Sequence, residues 1–596
     1  MKRLILLAFS ATCCMGTQAQ VVDDFDDFVN SEMASFDKFI DDANKQFISF
    51  LRNPWKEFDS KKPVVQRVKP EPVKPVVYDK DKDPDTTPVE LSIEEILGRS
   101  TKESKQRPQG RVIDGGEKVS FDKPQKKVDD SSKRRQPADT EGEAPKPVVK
   151  PSCPTAKPES PAAKPTCPNA KPTAPAAKPT CPNAKPTAPA TKPTCPNANA
   201  KPTCPNAKPE APTAKPVVVP VTPPATKPSA PTGELFTASS GKQMVNFCGQ
   251  KVYVDKSLKG VCSIGNMREN AIADAYESMC KADYQALLAD CRKLKKSLNL
   301  NDWGMFLFVR EASKALCTDE NAAVVMQQFL LNELGYKSKM ARRADRNQML
   351  LFVATDCQVY GHPYFTKDGQ NFYNLTSDDA CQFYMCQEDS PKAKSQLNMQ
   401  LNRAPELNTG MVNTVHKNRS GSVEVAVDVP KALMEFYNSM PQCDFSVYVN
   451  AKVNPSVSDK VLSTLAPLVN GKGEAEAANL LINFVQTGFK YATDQEQFGY
   501  EKPFFVEELF YYPYCDCEDR AVLYSYLVRN LLKLDVVLLD YPNHIATAVC
   551  FNENVSGDFV TVGGKKYVVC DPTYIGASIG KAMPQFKNVA AKVLKY

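Results

Sequence analysis

The most regular hydrophobic pattern in the chain begins at Cys517. Apolar residues then recur at intervals of three and four positions, which is the spacing of one buried helix face. Three apolar runs bounded by turn residues follow this helix and predict strands. The helical positions are Ala521, Tyr524, Leu527, Val528, Leu531 and Leu532, and the strands cover Val536 to Leu539, Ile545 to Cys550 and Tyr567 to Cys570. The sequence therefore predicts an α+β fold with a helix packed on an antiparallel sheet.

Other periodic segments predict what surrounds this unit. Glu474 to Tyr491 has helical spacing and is expected to cover the sheet, whereas Ser422 to Val429 and Asp444 to Val453 alternate as strands do. A phenylalanine-rich pattern predicts an amphipathic helix from Gln20 to Trp55. Thr87 to Arg99 contains a capping-box sequence before LSIEEIL, which predicts a short helix.

The helix-and-strand pattern occurs twice in the chain. CTDENAAVVMQQFLLNEL, from Cys317, aligns without a gap with CEDRAVLYSYLVRNLLKL, from Cys517, and the strand QMLLFVA follows it. Two tandem units are therefore expected, with chance resemblance between two helix-strand-strand units as the alternative. Beyond the helix, the corresponding positions are Gln348 with His544, and Asn374 or Thr376 with Asp571. The first unit has lost the basic residue and should not catalyse.

The composition changes sharply upstream of both units. More than half of the 48 prolines lie between Pro145 and Pro231, and four cysteines recur at 14-residue intervals in units such as KPTCPNAKPTAPAA. Such a segment cannot bury a core and favours extended polyproline II structure. Residues 60–232 are therefore predicted to be a disordered, lysine-rich linker. Its cysteines, Cys153, Cys167, Cys181, Cys195 and Cys204, are available for cross-linking chains or pairing among themselves, or they are incidental.

The N-terminus has the pattern of a secretory signal peptide. Lys2 and Arg3 precede an apolar run, and Ala19 ends a segment of small and polar residues that suits cleavage. No later run approaches the length of a membrane span, so we expect a secreted or periplasmic protein. The predicted organisation is a signal peptide (1–19), an amphipathic helical segment (20–59), the linker (60–232), a first unit (233–420) and a second unit (421–596).

Three residues of the second unit have the chemistry of a nucleophilic site. Cys517 starts a helix, where unpaired N–H groups and the helix dipole favour a thiolate. His544 opens one strand and Asp571 follows another, so an antiparallel sheet would place them side by side. The imidazole would then accept the thiol proton while the carboxylate fixes its tautomer. A Cys-His-Asp triad is the expected site.

At these residues the sequence resembles the transglutaminase-like superfamily, whose core is related to that of papain-like cysteine proteases. That family has a cysteine at a helix start with a small residue four positions later, here Cys517 and Ala521. A histidine then opens a strand, here His544, and an aspartate stands in a D-P-T turn, here Asp571 to Thr573. The resemblance covers the C-terminal part of the chain and makes the first unit a degenerate copy.

The same resemblance implies an upstream donor that completes an oxyanion hole with the backbone N–H of the cysteine. Gln486 and Gln497 are the candidates. The chain departs from the family pattern just before the helix, where Tyr512 to Asp516 replaces the aromatic or glycine-rich run that many members have. This stretch contains Cys515, which is a competing nucleophile, although the helical pattern favours Cys517.

Three other interpretations of these residues stay open at this point. Cys515, Cys517, His544 and Asp571 are acceptable zinc ligands, although structural zinc sites usually have more closely paired spacings. The two cysteines also suit disulfides with Cys550 or Cys570, because the expected compartment is oxidising. A catalytically inactive scaffold that binds the cell envelope through its linker and N-terminal helix is the third.

The expected reaction is attack of the Cys517 thiolate on a peptide or glutamine amide, followed by resolution of a thioester. Water as the acceptor gives a cysteine peptidase, and an amine gives an acyltransferase. We favour the peptidase, with a protein or peptide substrate. No metal, organic cofactor, nucleic acid or transmembrane span is expected. The lysines of the linker favour contact with anionic polymers of the cell envelope, although a solvated tether explains the same charge.

Overall fold

The computed structural model describes residues 40–64, 76–81, 87–97 and 233–596. The predicted signal peptide and most of the predicted linker lie outside these ranges. Within them the fold is α+β, with helices packed on mainly antiparallel sheets. None of the helices in these ranges has the length and apolar character needed to cross a membrane.

The first unit, together with the N-terminal segment, is built around a six-stranded sheet. A hairpin and four helices precede its central strands, and a strand from the N-terminal segment completes one edge. The elements are α1 (residues 40–52), β1 (Lys56–Asp59), β2 (Ile93–Leu97), β3 (Lys242–Phe247), β4 (Gln250–Asp255), α2 (Glu269–Lys281), α3 (Gln285–Ser297), α4 (Asp302–Leu316), α5 (Glu320–Glu333), β5 (Ser338–Arg343), β6 (Met349–Ala354), β7 (Tyr364–Lys367), β8 (Gln370–Asn374) and β9 (Gln382–Met385).

The second unit repeats this plan with more helices. It starts with a hairpin and ends with a second six-stranded sheet. The elements are β10 (Met411–Lys417), β11 (Glu424–Pro430), α6 (Lys431–Ser439), α7 (Phe445–Val449), α8 (Pro455–Val469), α9 (Glu474–Gly488), β12 (Lys490–Tyr491), α10 (Asp494–Gln497), α11 (Val506–Tyr511), β13 (Tyr514–Cys515), α12 (Cys517–Leu527), β14 (Asp535–Tyr541), β15 (His544–Cys550), β16 (Phe559–Val562), β17 (Lys565–Cys570) and β18 (Ala591–Leu594).

The two sheets have the same strand order. The first runs β1-β9-β5-β6-β8-β7 and the second runs β2-β18-β14-β15-β17-β16. In each sheet the two central strands come later in the chain than the helix that packs against them. This helix is α5 in the first unit and α12 in the second. The two sheets share an order of six strands, and a hairpin and helices precede the central strands of each sheet. This agreement favours internal duplication over chance resemblance. The expected boundary at residues 420 and 421 falls in the turn between β10 and β11, so the second unit begins at or before Met411.

The N-terminal segment spans both units and supplies an edge strand to each sheet. Strand β1 pairs antiparallel with β9, and β2 pairs parallel with β18. The short helix predicted from Thr87 to Arg99 is therefore wrong, because its central residues form β2. The exposed backbone of β18 offers hydrogen-bond partners that a local propensity cannot anticipate.

Both faces of the second sheet are buried, which explains its nearly continuous hydrophobic strands. Val536 and Leu538 face the helices in the main core, whereas Val537 and Leu539 face a second core. The N-terminal segment helps to close that second core, since Leu91 lies inside it and Val76 and Tyr78 pack against it.

One predicted strand is a helix. Asp444 to Val453 was expected to be extended, but Phe445–Val449 form α7. A short apolar run such as FSVYV has no periodicity that separates a strand from a buried helical turn. Val447, Tyr448 and Val449 are all buried in the main core, so the context of the run decides its conformation.

A buried carboxyl on α11 makes stability depend on pH. Glu507 accepts hydrogen bonds from the Asn454 N–H (2.6 Å) and the Tyr437 hydroxyl (3.2 Å), and burial raises its pKa from 4.5 to about 7. A carboxyl with a raised pKa contributes stability that is present below pH 4.5 and is lost as the pH rises through about 7. Glu507→Gln should remove on the order of 3 kcal/mol of this pH dependence.

Thermal unfolding at pH 5 and pH 8 measures this effect. The difference in Tm between the two conditions should be smaller in Glu507→Gln than in the unchanged protein. Glu424→Gln, at a carboxylate with 52% of its side chain exposed, serves as the control and should leave the difference unaltered. An identical pH dependence in Glu507→Gln and the unchanged protein would show that the carboxyl titrates normally.

Candidate functional site

His544 and Asp571 form a buried pair at the ends of two adjacent strands. Strand β15 pairs antiparallel with β17, which brings the first residue of one strand close to the residue that follows the other. The His544 Nε2 and Asp571 Oδ2 atoms are 2.8 Å apart, and the two side chains are 0% and 3% exposed. The strand pairing expected from the sequence therefore brings these two residues together.

This pair determines which ring nitrogen of His544 is available as a base. When Nε2 donates its proton to the Asp571 carboxylate, Nδ1 carries the lone pair. Nδ1 is buried and has no hydrogen-bond partner among the residues that the structure describes. An unpaired buried acceptor costs free energy, so such an atom calls for a functional explanation.

Aromatic contacts hold the imidazole in this orientation. The ring of Phe586 stacks on His544 with centroids 5.0 Å apart and an interplanar angle of 12°, and Tyr541 lies nearly parallel to it at 6.3 Å. The Asp571 carboxylate is itself fixed, because its Oδ1 accepts a hydrogen bond from the Thr573 N–H at 2.9 Å. The pair is therefore preorganised from both sides.

Cys517 is the first residue of α12, as the hydrophobic pattern predicted. A capping box closes this end of the helix: Asp516 and Asp519 each accept a hydrogen bond from the backbone N–H of the other. Asp519 also accepts a hydrogen bond from the Phe504 N–H at 2.9 Å. These contacts fix the helix start and therefore the position of the Cys517 backbone.

The Cys517 thiol is 1% exposed and donates a hydrogen bond to the neighbouring Glu518, with Sγ 3.0 Å from Oε2. The thiol does not donate to His544, because the His544 Nδ1 atom has no hydrogen-bond partner among the described residues. The sequence predicted a thiol within reach of the imidazole. The structure packs α12 against β15, which begins at His544, but directs the thiol proton to Glu518.

Glu518 is expected to restrain the reactivity of the thiol. A carboxylate that accepts the thiol proton and stands beside the sulfur disfavours the thiolate. Glu518→Gln removes this charge, so alkylation of Cys517 by iodoacetamide at pH 7 should be about three- to tenfold faster. Second-order rates followed by peptide mapping measure the effect.

The control for this experiment is Glu476→Gln, at a site where 63% of the side chain is exposed. It should leave the alkylation rate of Cys517 unaltered. A rate in Glu518→Gln equal to or below that of the unchanged protein would mean that the carboxylate does not suppress the thiolate.

The two glutamines proposed as oxyanion donors have other partners. The Gln486 amide nitrogen lies 3.2 Å from the Asp571 carbonyl oxygen and 2.8 Å from that of Tyr574, while its Oε1 accepts from the Gly576 N–H. Gln486 therefore holds the loop after Asp571. Gln497 donates to the Tyr514 carbonyl at 3.2 Å and so contacts the backbone of β13. Both amide groups therefore contact backbone carbonyls, and the oxyanion role of either glutamine stays a prediction.

The zinc alternative requires four ligand atoms to converge. In the described ranges, the groups of three or more thiol, imidazole or carboxylate ligand atoms within 4.8 Å are Asp516, Cys517 and Glu518, and Asp494, Glu501 and Glu518. Neither group contains His544 or Asp571. The Cys515 thiol instead contacts the Lys490 carbonyl at 3.5 Å. Burial raises the pKa of this thiol to about 11, although the adjacent Arg520 acts in the opposite direction.

A buried acidic cluster that was not predicted from the sequence lies beside the site. Asp494, Glu501 and Glu518 come from three separate stretches of chain, and burial together with the neighbouring carboxylates raises the pKa of Asp494 well above its usual value. Phe586 was missed for the same reason, since nothing in its local pattern connects it with His544. The two adjacent acids Glu518 and Asp519 were the only local signal.

The register of the first sheet identifies the counterparts of the triad. A residue with left-handed backbone conformation follows the helical region of each unit. Gly335 follows α5, and Lys533 follows the π-helical turn Val528–Leu532 at the end of α12, so these two residues align the units. Tyr541 pairs with His544 across the second hairpin. At the same place in the first hairpin, the Arg343 N–H donates to the Gln348 carbonyl. Gln348 therefore occupies the position of His544.

The same comparison assigns the position of Asp571. Thr547 pairs with Cys570 in the second sheet, and the Leu375 N–H donates to the Leu351 carbonyl at the equivalent place in the first. Thr376, rather than Asn374, is therefore the counterpart of Asp571. Neither Gln348 nor Thr376 is a base, so these two positions of the first unit hold no imidazole and carboxylate pair.

Comparisons with models of protein families, with curated proteins and with solved structures found no match to this chain.

Proposed function

We propose that the second unit is a thiol hydrolase or acyltransferase that uses Cys517 as nucleophile, His544 as base and Asp571 to orient the base. The observation that carries the proposal is the buried pair of His544 Nε2 and Asp571 Oδ2, 2.8 Å apart, with Nδ1 unpartnered on the strand that packs against α12. This arrangement is what an activated cysteine requires, and it supports assignment to a transglutaminase-like core.

In the proposed resting state the Cys517 proton is held by Glu518. Rotation of the thiol about its Cα–Cβ bond, together with opening of the buried site, would exchange this contact for one with His544 Nδ1. The imidazole accepts the thiol proton, and Asp571 stabilises the resulting imidazolium. The helix start favours the thiolate that remains.

The thiolate then attacks the carbonyl carbon of an amide and forms a tetrahedral intermediate. Its C–N bond breaks to leave a thioester, and the departing amine takes its proton from the imidazolium. The Cys517 backbone N–H belongs to the first turn of α12, where N–H groups lack an intrahelical acceptor and can stabilise an oxyanion. Water resolves the thioester in a peptidase, and a second amine resolves it in an acyltransferase. We favour an exported peptidase that acts on protein or peptide amides.

Trapping the thioester tests this proposal. The full chain is incubated with peptide amide and activated ester substrates, quenched in acid and digested, and the mass of the Cys517 peptide is measured. Acylation of Cys517, with turnover in water or transfer to added hydroxylamine, is the expected result. Cys515→Ser should retain it, because Cys515 contacts a backbone carbonyl and lies near Arg520, away from the His544 pair.

A second candidate function is an inactive scaffold. The observation in its favour is the Cys517 thiol itself, which is buried and bonded to Glu518 instead of His544. A scaffold would show no acylation with any substrate in the trapping experiment, while remaining folded. The same result would overturn the enzymatic proposal.

A further inference from the structure

Two pairs of thiols lie close together although they are far apart in the sequence. The Cys317 thiol raises the pKa of Cys262, and the Cys443 thiol raises the pKa of Cys357, which places the members of each pair side by side. Every cysteine in the described ranges is an unbridged thiol in this structure. Cysteine spacing alone offers no way to identify partners among so many thiols.

The surrounding contacts fix both pairs independently of the thiols. The Cys262 Sγ lies 3.3 Å from the Ala322 carbonyl and the Cys317 Sγ lies 3.8 Å from the Met326 sulfur, so both thiols pack on one turn of α5. In the second pair, Val359 forms an antiparallel bridge with Cys443, and the Tyr360 N–H donates to the Gln442 carbonyl. The backbone therefore holds Cys357 beside Cys443.

We infer that Cys262 with Cys317, and Cys357 with Cys443, form two disulfide bonds when the protein meets a disulfide oxidant. Glutathione disulfide or a disulfide oxidoreductase supplies the oxidising equivalents. One thiolate of each pair, that of Cys317 in the first, attacks the incoming disulfide and releases one thiol. The other thiol of the pair then loses its proton, attacks the mixed disulfide and releases the second thiol. Two protein thiols are oxidised and one incoming disulfide is reduced.

The first pair involves the cysteine that precedes α5. Cys317 aligns with Cys517 in the sequence, but the structure places it two residues before Asp319, the N-cap of α5, whereas Cys517 directly follows Asp516, the N-cap of α12. Contact with Cys262 lowers the pKa of Cys317. A low pKa suits an attacking thiol in disulfide exchange. A bond between Cys262 and Cys317 would covalently link the segment after β4 to the segment between α4 and α5.

The second pair joins the two units. Cys357 belongs to the segment between β6 and β7 of the first unit, whereas Cys443 belongs to the segment between α6 and α7 of the second. A bond between them closes a long loop and restrains the unfolded chain, which is how a disulfide stabilises a protein. It would also prevent the two units from separating without reduction. This inference does not depend on catalysis by Cys517.

Disulfide mapping of the full chain tests the inference. Reduced protein is equilibrated in glutathione redox buffers, quenched with N-ethylmaleimide and digested without reduction. Cross-linked peptides joining Cys262 to Cys317 and Cys357 to Cys443 should appear together with a Tm that is at least about 5 °C higher than in dithiothreitol. Cys262→Ser and Cys443→Ser should each remove one cross-link and part of the Tm difference.

Cys291→Ser, at a buried thiol outside both pairs, is the control and should keep both cross-links. Alkylation of all four thiols across the whole redox range, or cross-links that join them to other cysteines, would overturn the assignment. If a serine variant fails to fold, the cross-linked peptides of the unchanged protein still decide the pairing.

Discussion

Replacing Cys517 with alanine should abolish acylation of the second unit and lower any amide or ester turnover by at least about 10⁴-fold. The reason is that no other thiol in the described ranges lies at the start of the helix that packs against the His544 strand. Initial rates for the full chain, with the substrate that gives the highest turnover in the trapping experiment, measure the effect. Because the Cys517 side chain is buried and small, alanine should preserve the fold.

The matched control is Cys515→Ala, which removes a buried thiol two positions earlier in the chain. It should retain turnover within about threefold, since its loss affects packing rather than the nucleophile. If Cys515→Ala abolishes turnover while Cys517→Ala retains it, the nucleophile has been assigned to the wrong cysteine.

Replacing Asp571 with asparagine should lower kcat/KM by about 10²- to 10⁴-fold with little change in KM. The asparagine Oδ1 can still accept from the Thr573 N–H, so the loop keeps its conformation. Its amide nitrogen then faces His544 Nε2 and donates to it. This selects the tautomer with the proton on Nδ1, which can no longer accept the proton of Cys517.

Asp535→Asn is the matched control, because Asp535 also bonds a side chain across the second sheet, accepting from the Tyr567 hydroxyl at 2.9 Å. It should leave kcat/KM nearly unchanged and alter only stability. Equal losses in Asp571→Asn and Asp535→Asn would indicate a structural role for both carboxylates. A loss in Asp571→Asn that appears in KM alone would also contradict the orienting role.

The sequence carried enough information to identify the part of the site that depends on local pattern and strand pairing. The spacing after Cys517 located α12, and the two short apolar runs located β15 and β17. Because antiparallel pairing joins these strands, His544 and Asp571 meet as expected. These features follow from periodicity and chain order, which a single sequence contains.

The orientation of side chains and the partners of distant segments could not be predicted from periodicity and chain order. The thiol of Cys517 bonds Glu518, although the helix-start argument applies equally to a thiol turned towards His544. The Gln486 amide donates to carbonyl groups in the loop after Asp571, and no local pattern connects these residues with α9. The edge strand β2 depends on pairing with β18, almost the whole chain away.

The most direct test of Cys517 as the nucleophile is its alkylation rate with iodoacetamide between pH 5 and pH 9, in the unchanged protein and in His544→Ala. We expect Cys517 to react at least about tenfold faster than Cys515 at pH 7, and His544→Ala to remove most of this difference. Equal rates for Cys517 with and without the imidazole, at every pH in a folded protein, would contradict this assignment.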